Sequence, residues 1–397
     1  MRIVLIADTF PPLRSSGAIQ LRDLVQEFVR QGHEVTVLLP SPGKDVPSWE
    51  IEDYHGARLV RLRAPGTHGL GYVRRALGEF FMPYFMLRNL ANSPIANIVW
   101  DGIVWYSPSI FHGPLVSSLK KASKCKSYLI IRDIFPEWAV DMGLMGRGLA
   151  YRFFQCVALY QYSIADFIGI QSEGNQVYFQ DWQIKRGRVL EVLPNWLGRP
   201  RPMPTPINIG STPLAGRRVF VYAGNMGVAQ GLDIFLDLAE RLKPRIDIGF
   251  LYVGRGSEAA RLRGEAKKRG LINIHFEDEI DPDEISALYA QCVAGIVALD
   301  QRHKTHNIPG KFLSYLQNGL PVLANVNAGN DIVSYIRANS VGEVCDTGCL
   351  IDLVVATERL LDQINLDAML SVRCEALFER DFAVDKTARQ IVAAISE

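Results

Sequence analysis

The sequence predicts an α/β protein built from two doubly wound units, each a parallel sheet flanked by helices. Short apolar runs at residues 3–7, 127–131, 219–223 and 248–253 alternate with amphipathic helical stretches, the pattern of buried parallel strands joined by crossovers. The chain has 397 residues, too many for one typical core and suited to two of about 200 each. Between the halves, Pro200, Pro202, Pro204, Pro206 and Pro213 crowd one segment, the composition of an interdomain linker.

With 48% hydrophobic and 21% charged residues, the composition is that of an ordinary globular protein. The formal net charge of +1 gives a global argument for nucleic-acid binding nothing to stand on, so no nucleic-acid partner is expected. The halves differ mildly: residues 1–195 carry 21 Lys and Arg against 17 Asp and Glu (+4), the remainder 22 against 25 (−3). Six scattered cysteines, with only Cys345 and Cys349 close together, predict reduced thiols in a cytosolic protein and no metal site. The apolar run at the N-terminus is too short for a signal peptide and reads as a first strand. No run reaches the ~18–20 apolar residues of a membrane span, so any contact with a bilayer is peripheral.

In chain order, strand 3–7 leads into the loop Asp8 to Gly17, an amphipathic helix at about 18–31 and a strand at 33–39. That loop leaves the carboxyl end of the first strand, where open α/β sheets place ligands, and Gly17 allows close backbone approach. Residues 58–92 carry six arginines, Arg58, Arg61, Arg63, Arg74, Arg75 and Arg88, against the single acid Glu79. Phe80, Phe81, Tyr84 and Phe85 add an aromatic stripe, the composition of an interfacial helix meeting anionic headgroups, and Pro83 is expected to break or kink it. Strands follow at about 102–106 and 127–131. The second ends in Arg132 and Asp133, a charged pair where this architecture does its chemistry. A long helix at about 148–165, a strand at 167–170 and a last strand at 188–193 complete the first unit.

The second unit opens with a strand from Arg218 into the glycine turn Gly224, Asn225, Gly227, Gln230, Gly231, a geometry that cradles a diphosphate with backbone N–H groups. The strand 248–253 ends in a second such turn, Gly254, Arg255, Gly256. After strands at 272–276 and 294–299, the stretch His306 to Ala324 reads as helix, tight turn and strand, with Phe312, Leu313 and Leu316 on one helical face. Its helix starts at Pro309 and Gly310 beside Lys311, so unpaired N–H groups and an ammonium meet: an anion site.

Pro309, Gly310, Lys311, Phe312, Leu313, Tyr315, Gly319, Pro321 and Val322 resemble the nucleotide-sugar segment of the family 4 glycosyltransferases of bacterial surface polysaccharide synthesis. The run Arg132, Asp133, Pro136, Glu137, the Pro11-Pro12 pair before Gly17 and the Pro194-Asn195 turn are similar to the same branch. Ser314 departs from it, standing where the family keeps a ribose-binding glutamate, and His306 stands where many members carry another acid. Asn225 and Gln230 occupy places where many members carry cations, which shifts the leaving-group charge onto Lys311, helped by helix N-termini and Arg255 or Lys304.

The resemblance implies the GT-B fold, two Rossmann-like domains facing each other across a cleft. Residues 1–198 would bind acceptor and 199–379 donor, with a C-terminal helix at about 380–397 packing back on the first. It implies a retaining, metal-independent hexosyltransferase without cofactor. Such an enzyme moves a sugar such as N-acetylfucosamine or another N-acetylated hexose from a nucleoside diphosphate, expected to be UDP, to a polyprenyl-diphosphate-linked glycan of O-antigen or capsule. The expected place is the cytoplasm, peripherally on the inner membrane. The residues carried over are Asp133, Arg132 and Lys311 for catalysis. For the donor they are Gly17, Gly224, Asn225, Gln230, Gly231, Gly254, Arg255, Glu277, Asn307, Pro309, Gly310, Lys311 and Ser314. Arg74, Arg75, Phe80, Phe81, Tyr84 and Phe85 would face acceptor or membrane. A nucleotide-sugar epimerase of the same fold and a nucleotide-sugar-binding protein of impaired catalysis are the alternatives.

Overall fold

The computed structural model describes residues 1–43, 45–67, 71–185, 187–200 and 203–397; Arg201 and Pro202 of the linker and the side chains of Tyr72 and Val73 lie outside them. In order come β1 (Arg2–Ile6), α1 (Ser16–Arg30), β2 (Glu34–Pro42), β3 (Trp49–Tyr54), β4 (Ala57–Ala64), α2 (Tyr72–Ala91), β5 (Gly102–Tyr106), α3 (Gly113–Ser123) and β6 (Lys126–Ile130). Then follow α4 (Glu137–Asp141), α5 (Leu149–Ile164), β7 (Phe167–Ile170), α6 (Gln180–Gln183) and β8 (Val189–Val192). The second half runs through β9 (Arg218–Ala223), α7 (Asp233–Arg241), β10 (Ile248–Val253), α8 (Ala259–Lys268), β11 (Ile274–Glu277), α9 (Ile285–Tyr289) and β12 (Ala294–Ala298). It ends in α10 (Gly310–Gln317), β13 (Val322–Asn325), α11 (Asp331–Asn339), β14 (Gly342–Cys345), α12 (Leu350–Leu366), α13 (Leu370–Asp381) and α14 (Val384–Ser396).

Two units result: Met1–Pro194 with Val384–Glu397, and Asn195–Ala383. The sheet of the first has the order β3-β4-β2-β1-β5-β6-β7-β8 and is parallel except for the antiparallel β3–β4 hairpin. The sheet of the second, β11-β10-β9-β12-β13-β14, is parallel throughout. Strands inside each sheet are buried on both faces, which is why they read as unbroken apolar runs rather than alternating ones. Each sheet reverses its winding once, between β1 and β5 and between β9 and β12, and such switch points open a crevice at the carboxyl ends of the strands.

Three details differ from the sequence reading. Residues 49–64 form the β3–β4 hairpin, so Arg58 and Arg61 belong to a strand; they meet Glu34 at 3.7 Å and Glu52 at 2.8 Å rather than joining a helical basic stripe. The helix α2 runs unbroken through Pro83. Met82, Met86 and Leu90, buried on either side of the proline, offset the one helical hydrogen bond that it lacks. The crossing to the second unit falls before Asn195, because Trp196 is fully buried and Leu197 N–H donates to Phe382 O, both inside that unit.

Candidate active site

The second unit builds its site around the end of β9. Tyr315, on the inner face of α10, donates its buried hydroxyl to Val221 O (3.0 Å) and accepts from Ala223 N (3.3 Å), which fastens the helix to the last turn of that strand. The ring crosses β12 at Gly295, where a Cβ would lie 2.3 Å from it, so only glycine fits. Fixed in this way, α10 places Lys311 in its first turn after the cap Pro309, with Nζ 4.7 Å from the centre of the Tyr222 ring. Its Cε and Nζ lie 3.6 and 3.9 Å from where a Cβ on Gly224 would stand. The residue as a whole is half-buried, and burial of its ammonium pushes the pKa down to about 8.

The two glycine turns pack on each other. Gly224 N–H donates to Val253 O, Met226 N–H to Arg255 O and Gly227 N–H to the side chain of Gln230, so these three donors are engaged within the protein rather than forming an open cradle. Gln230 Oε1 also accepts from Asn225 Nδ2 at 3.4 Å, so the two amides hold the turn's shape. Gly231, in the left-handed region, abuts Asp300. Gly254 and Gly256, also at positive φ, lie where a Cβ would come within 2.2 Å of Gly224 O and Met226 O. Arg255 is largely exposed and paired with Glu279 at 2.8 Å.

Ser314 hydrogen-bonds Tyr289, whose ring lies 4.9 Å from that of Tyr315. Asn307 and Gly310 are half-buried in the approach to α10; next to Asn307, Ile308 O accepts from Asn195 Nδ2 at 2.6 Å. His306 meets Asp331, in the first turn of α11, at 2.9 Å. Glu277 ends the edge strand β11, 2.8 Å from His275, and both line a cavity of about 510 Å³ with Ile207, Thr212 and Ile280. Lys311, Gly224, Tyr222 and the Asn225–Gln230 turn thus converge at the switch point between β9 and β12, while Glu277 stands at the sheet edge.

The first unit has a counterpart at its own switch point. Gly17 approaches Tyr106, with a Cβ position 3.1 Å from the phenol oxygen. Burial raises the pKa of that phenol, with Arg132, Asp133 and Asp8 near enough to act on it. Arg132 is buried and donates to Leu193 O (2.8 Å) and Pro194 O (3.4 Å), closing the end of β8. Its guanidinium therefore serves the backbone, with its pKa lowered to about 10 by burial. Asp133 is half-buried; burial raises its carboxyl and Arg132 pulls it partly back.

One buried polar residue of the first unit escaped the sequence reading. His112 caps the start of α3, is fully buried, and neither ring nitrogen has a hydrogen-bond partner among the described residues. Burial lowers its pKa to about 4, so the ring is neutral at physiological pH. Removing an unpaired buried polar ring is expected to stabilise the fold by about 1–3 kcal/mol, so His112→Phe should raise the urea midpoint of unfolding. If the ring serves the reaction, the same variant lowers turnover; an unchanged rate assigns it to packing alone.

The membrane-facing candidates lie on α2, which packs on β4 and α3. Phe80 is packed against the core, whereas Phe81, Tyr84 and Phe85 are 47%, 49% and 43% exposed beside exposed Arg74 and Arg75, the latter paired with Glu79 at 2.8 Å. No helix among the described residues is long and apolar enough to cross a membrane. Among the described residues no group of three His, Cys, Asp or Glu side chains is placed to hold a metal ion.

Two doubly wound α/β units, each with a largely parallel sheet, are the frame of the GT-B fold. Residues 208–372 match the sequence model of the family described as Glycosyl transferases group 1. The chain is similar to the putative colanic acid biosynthesis glycosyl transferase WcaI of Escherichia coli (strain K12), at 23% identity over 382 residues, 87% of this chain and 86% of that one. Its fold is similar to sucrose-phosphate synthase from Thermosynechococcus elongatus (TM-score 0.76, 14% identity, 99% and 98% of the two chains). It is also similar to Anabaena Alr3699/HepE in complex with UDP (TM-score 0.71, 14% identity, 100% of each).

Proposed function

We propose that the chain is a glycosyltransferase that transfers a sugar, with retention, from a UDP donor held by the second unit to a lipid-linked glycan of a surface polysaccharide. The observation that carries the reading is the buried Lys311 ammonium against Gly224 and the Tyr222 ring. Among the described residues no carboxylate pairs with it, so its charge suits a diphosphate. As the bond from the anomeric carbon to the diphosphate breaks, charge grows on the leaving oxygen, where a fixed ammonium in a poorly solvated place acts strongly. The acceptor hydroxyl attacks from the same face and passes its proton to that oxygen, so no protein nucleophile is consumed; Asp133 orients sugar or acceptor. An acceptor of the polysaccharide kind is supported by the similarity to WcaI, a uridine nucleotide by the UDP in the HepE complex, and an N-acetylated hexose such as N-acetylfucosamine by the family resemblance alone.

The test is UDP release from a panel of UDP-sugars with a polyprenyl-diphosphate glycan. Turnover by the wild type that Lys311→Ala abolishes supports the reading, and silence with every donor, or a Lys311→Ala variant as active as the wild type, defeats it. Contact with the cytoplasmic face of the inner membrane, also proposed, draws on the exposed face of α2. The protein should sediment with vesicles containing anionic lipid, and Phe81→Glu with Phe85→Glu should cut the bound fraction several-fold; retention of full binding would assign the face elsewhere.

A further inference from the structure

Past the strand ends of the first unit, the segments that follow β6 and β7 bring together a group of side chains with no part in the chemistry described so far. Glu137 opens α4, and its carboxyl accepts from the hydroxyl of Tyr151 on α5 at 3.3 Å; Gln155 Nε2 donates to the same hydroxyl at 3.2 Å. The Arg147 guanidinium lies 5.9 Å from the centre of the Tyr151 ring. Asp141 closes α4, and Tyr178 comes from the 3-10 turn Glu173–Phe179 after β7. Burial raises the Tyr178 phenol, with Asp141 and Glu137 close enough to raise it further. Burial likewise raises the Glu137 carboxyl.

Glu137, Asp141, Tyr151 and Tyr178 are each half-buried: sheltered enough for their hydrogen bonds to count, open enough to be reached. A carboxylate has about four acceptor sites, and one long bond from a phenol leaves Glu137 most of them. Two carboxylates one turn apart on α4, with Arg147 as the one cation acting on Glu137, disfavour a phosphate or another anion, and among the described residues no third ligand makes them a cation site. What suits them is a neutral ring rich in hydroxyl donors with apolar C–H faces to lie on phenol rings.

We propose that Glu137, Asp141, Tyr151 and Tyr178 form a pyranose subsite of the first unit, which holds a neutral sugar ring of the acceptor. The assignment rests on the reading of that unit as the acceptor side. Carboxylates and phenols grip the ring hydroxyls, and Tyr151, braced by Gln155 and Arg147, fixes the orientation of Glu137.

The test is saturation-transfer NMR on the full chain without donor, using the methyl pyranosides of glucose, galactose, mannose, fucose and N-acetylglucosamine as probes. The wild type is expected to bind at least one of them. Glu137→Gln, Asp141→Asn and Tyr178→Phe, each checked for wild-type UDP affinity as evidence of folding, should weaken it about tenfold per lost hydrogen bond to a charged group. Binding of none of the five, or binding that all three variants leave unchanged, overturns the subsite. UDP-sugar turnover measured on the same preparations separates the two ideas. Turnover with indifferent variants removes the subsite and keeps the transferase, whereas pyranoside binding lost in the variants of a protein that turns over no UDP-sugar does the reverse.

Discussion

Lys311→Met is expected to make the protein more stable and to remove its activity. Burial holds the Lys311 pKa at about 8 against an ordinary value of 10.5. Below pH 8 the ammonium is protonated in both folded and unfolded chains, so the full cost of burying it is present, roughly 1–3 kcal/mol after allowance for the residue's partial exposure. Between pH 8 and 10.5 the unfolded chain binds more protons than the folded one, so wild-type stability rises with pH and the cost disappears above 10.5. Methionine fills the same volume without the charge. Its variant should melt higher at pH 7 and lose the difference by pH 10.5, while kcat falls roughly 10²–10³-fold with the loss of one charge-stabilising group. Calorimetric melts across that range, paired with initial rates, check both halves. A variant less stable than the wild type at pH 7 would mean that the ammonium gains more from its surroundings than burial costs it.

The second large effect is expected at Gly254. Its φ of +139° lies in a region that L side chains rarely enter, and a Cβ there would sit 2.2 Å from Gly224 O. Since Gly224 N–H is tied to Val253 O, neither turn can withdraw without breaking that bond. Backbone strain and overpacking add, and Gly254→Ala should cost roughly 3 kcal/mol or more. Gly224 moves with the turn, so UDP affinity should fall with stability. Gly264→Ala is the control: it lies on α8 with nothing within 4 Å of its Cβ position, so it should stabilise by about 0.5–1 kcal/mol. Urea titrations of the two variants give the comparison, and equal midpoints would show that the turns are not locked together.

The strands at the two switch points were legible because strands buried on both faces leave continuous apolar runs, as at 3–6 and 248–253. The α10 start was legible because proline, glycine and lysine at a helix opening carry their own chemistry. Tertiary partners were not. Nothing local says that Arg132 turns to the carbonyls of Leu193 and Pro194, sixty residues on, or that Gly254 and Gly256 are needed for a neighbouring turn rather than a ligand. The β3–β4 hairpin was missed because its first strand, exposed at the sheet edge, has the burial of a surface segment and carries acids among its apolar residues. His112 was invisible for a simpler reason: a lone histidine before Gly-Pro carries no pattern, and its burial belongs to the packed α3.

Proton uptake on UDP binding tests most directly whether Lys311 meets the diphosphate. At pH 8.5 the free ammonium with a pKa of about 8 is mostly deprotonated, and a bound diphosphate restores it. Titration calorimetry in buffers of different ionisation enthalpy should therefore record an uptake of about 0.7 proton per UDP in the wild type and close to none in Lys311→Met. The same uptake in both proteins, or none in either, would contradict the placing of the diphosphate against Lys311.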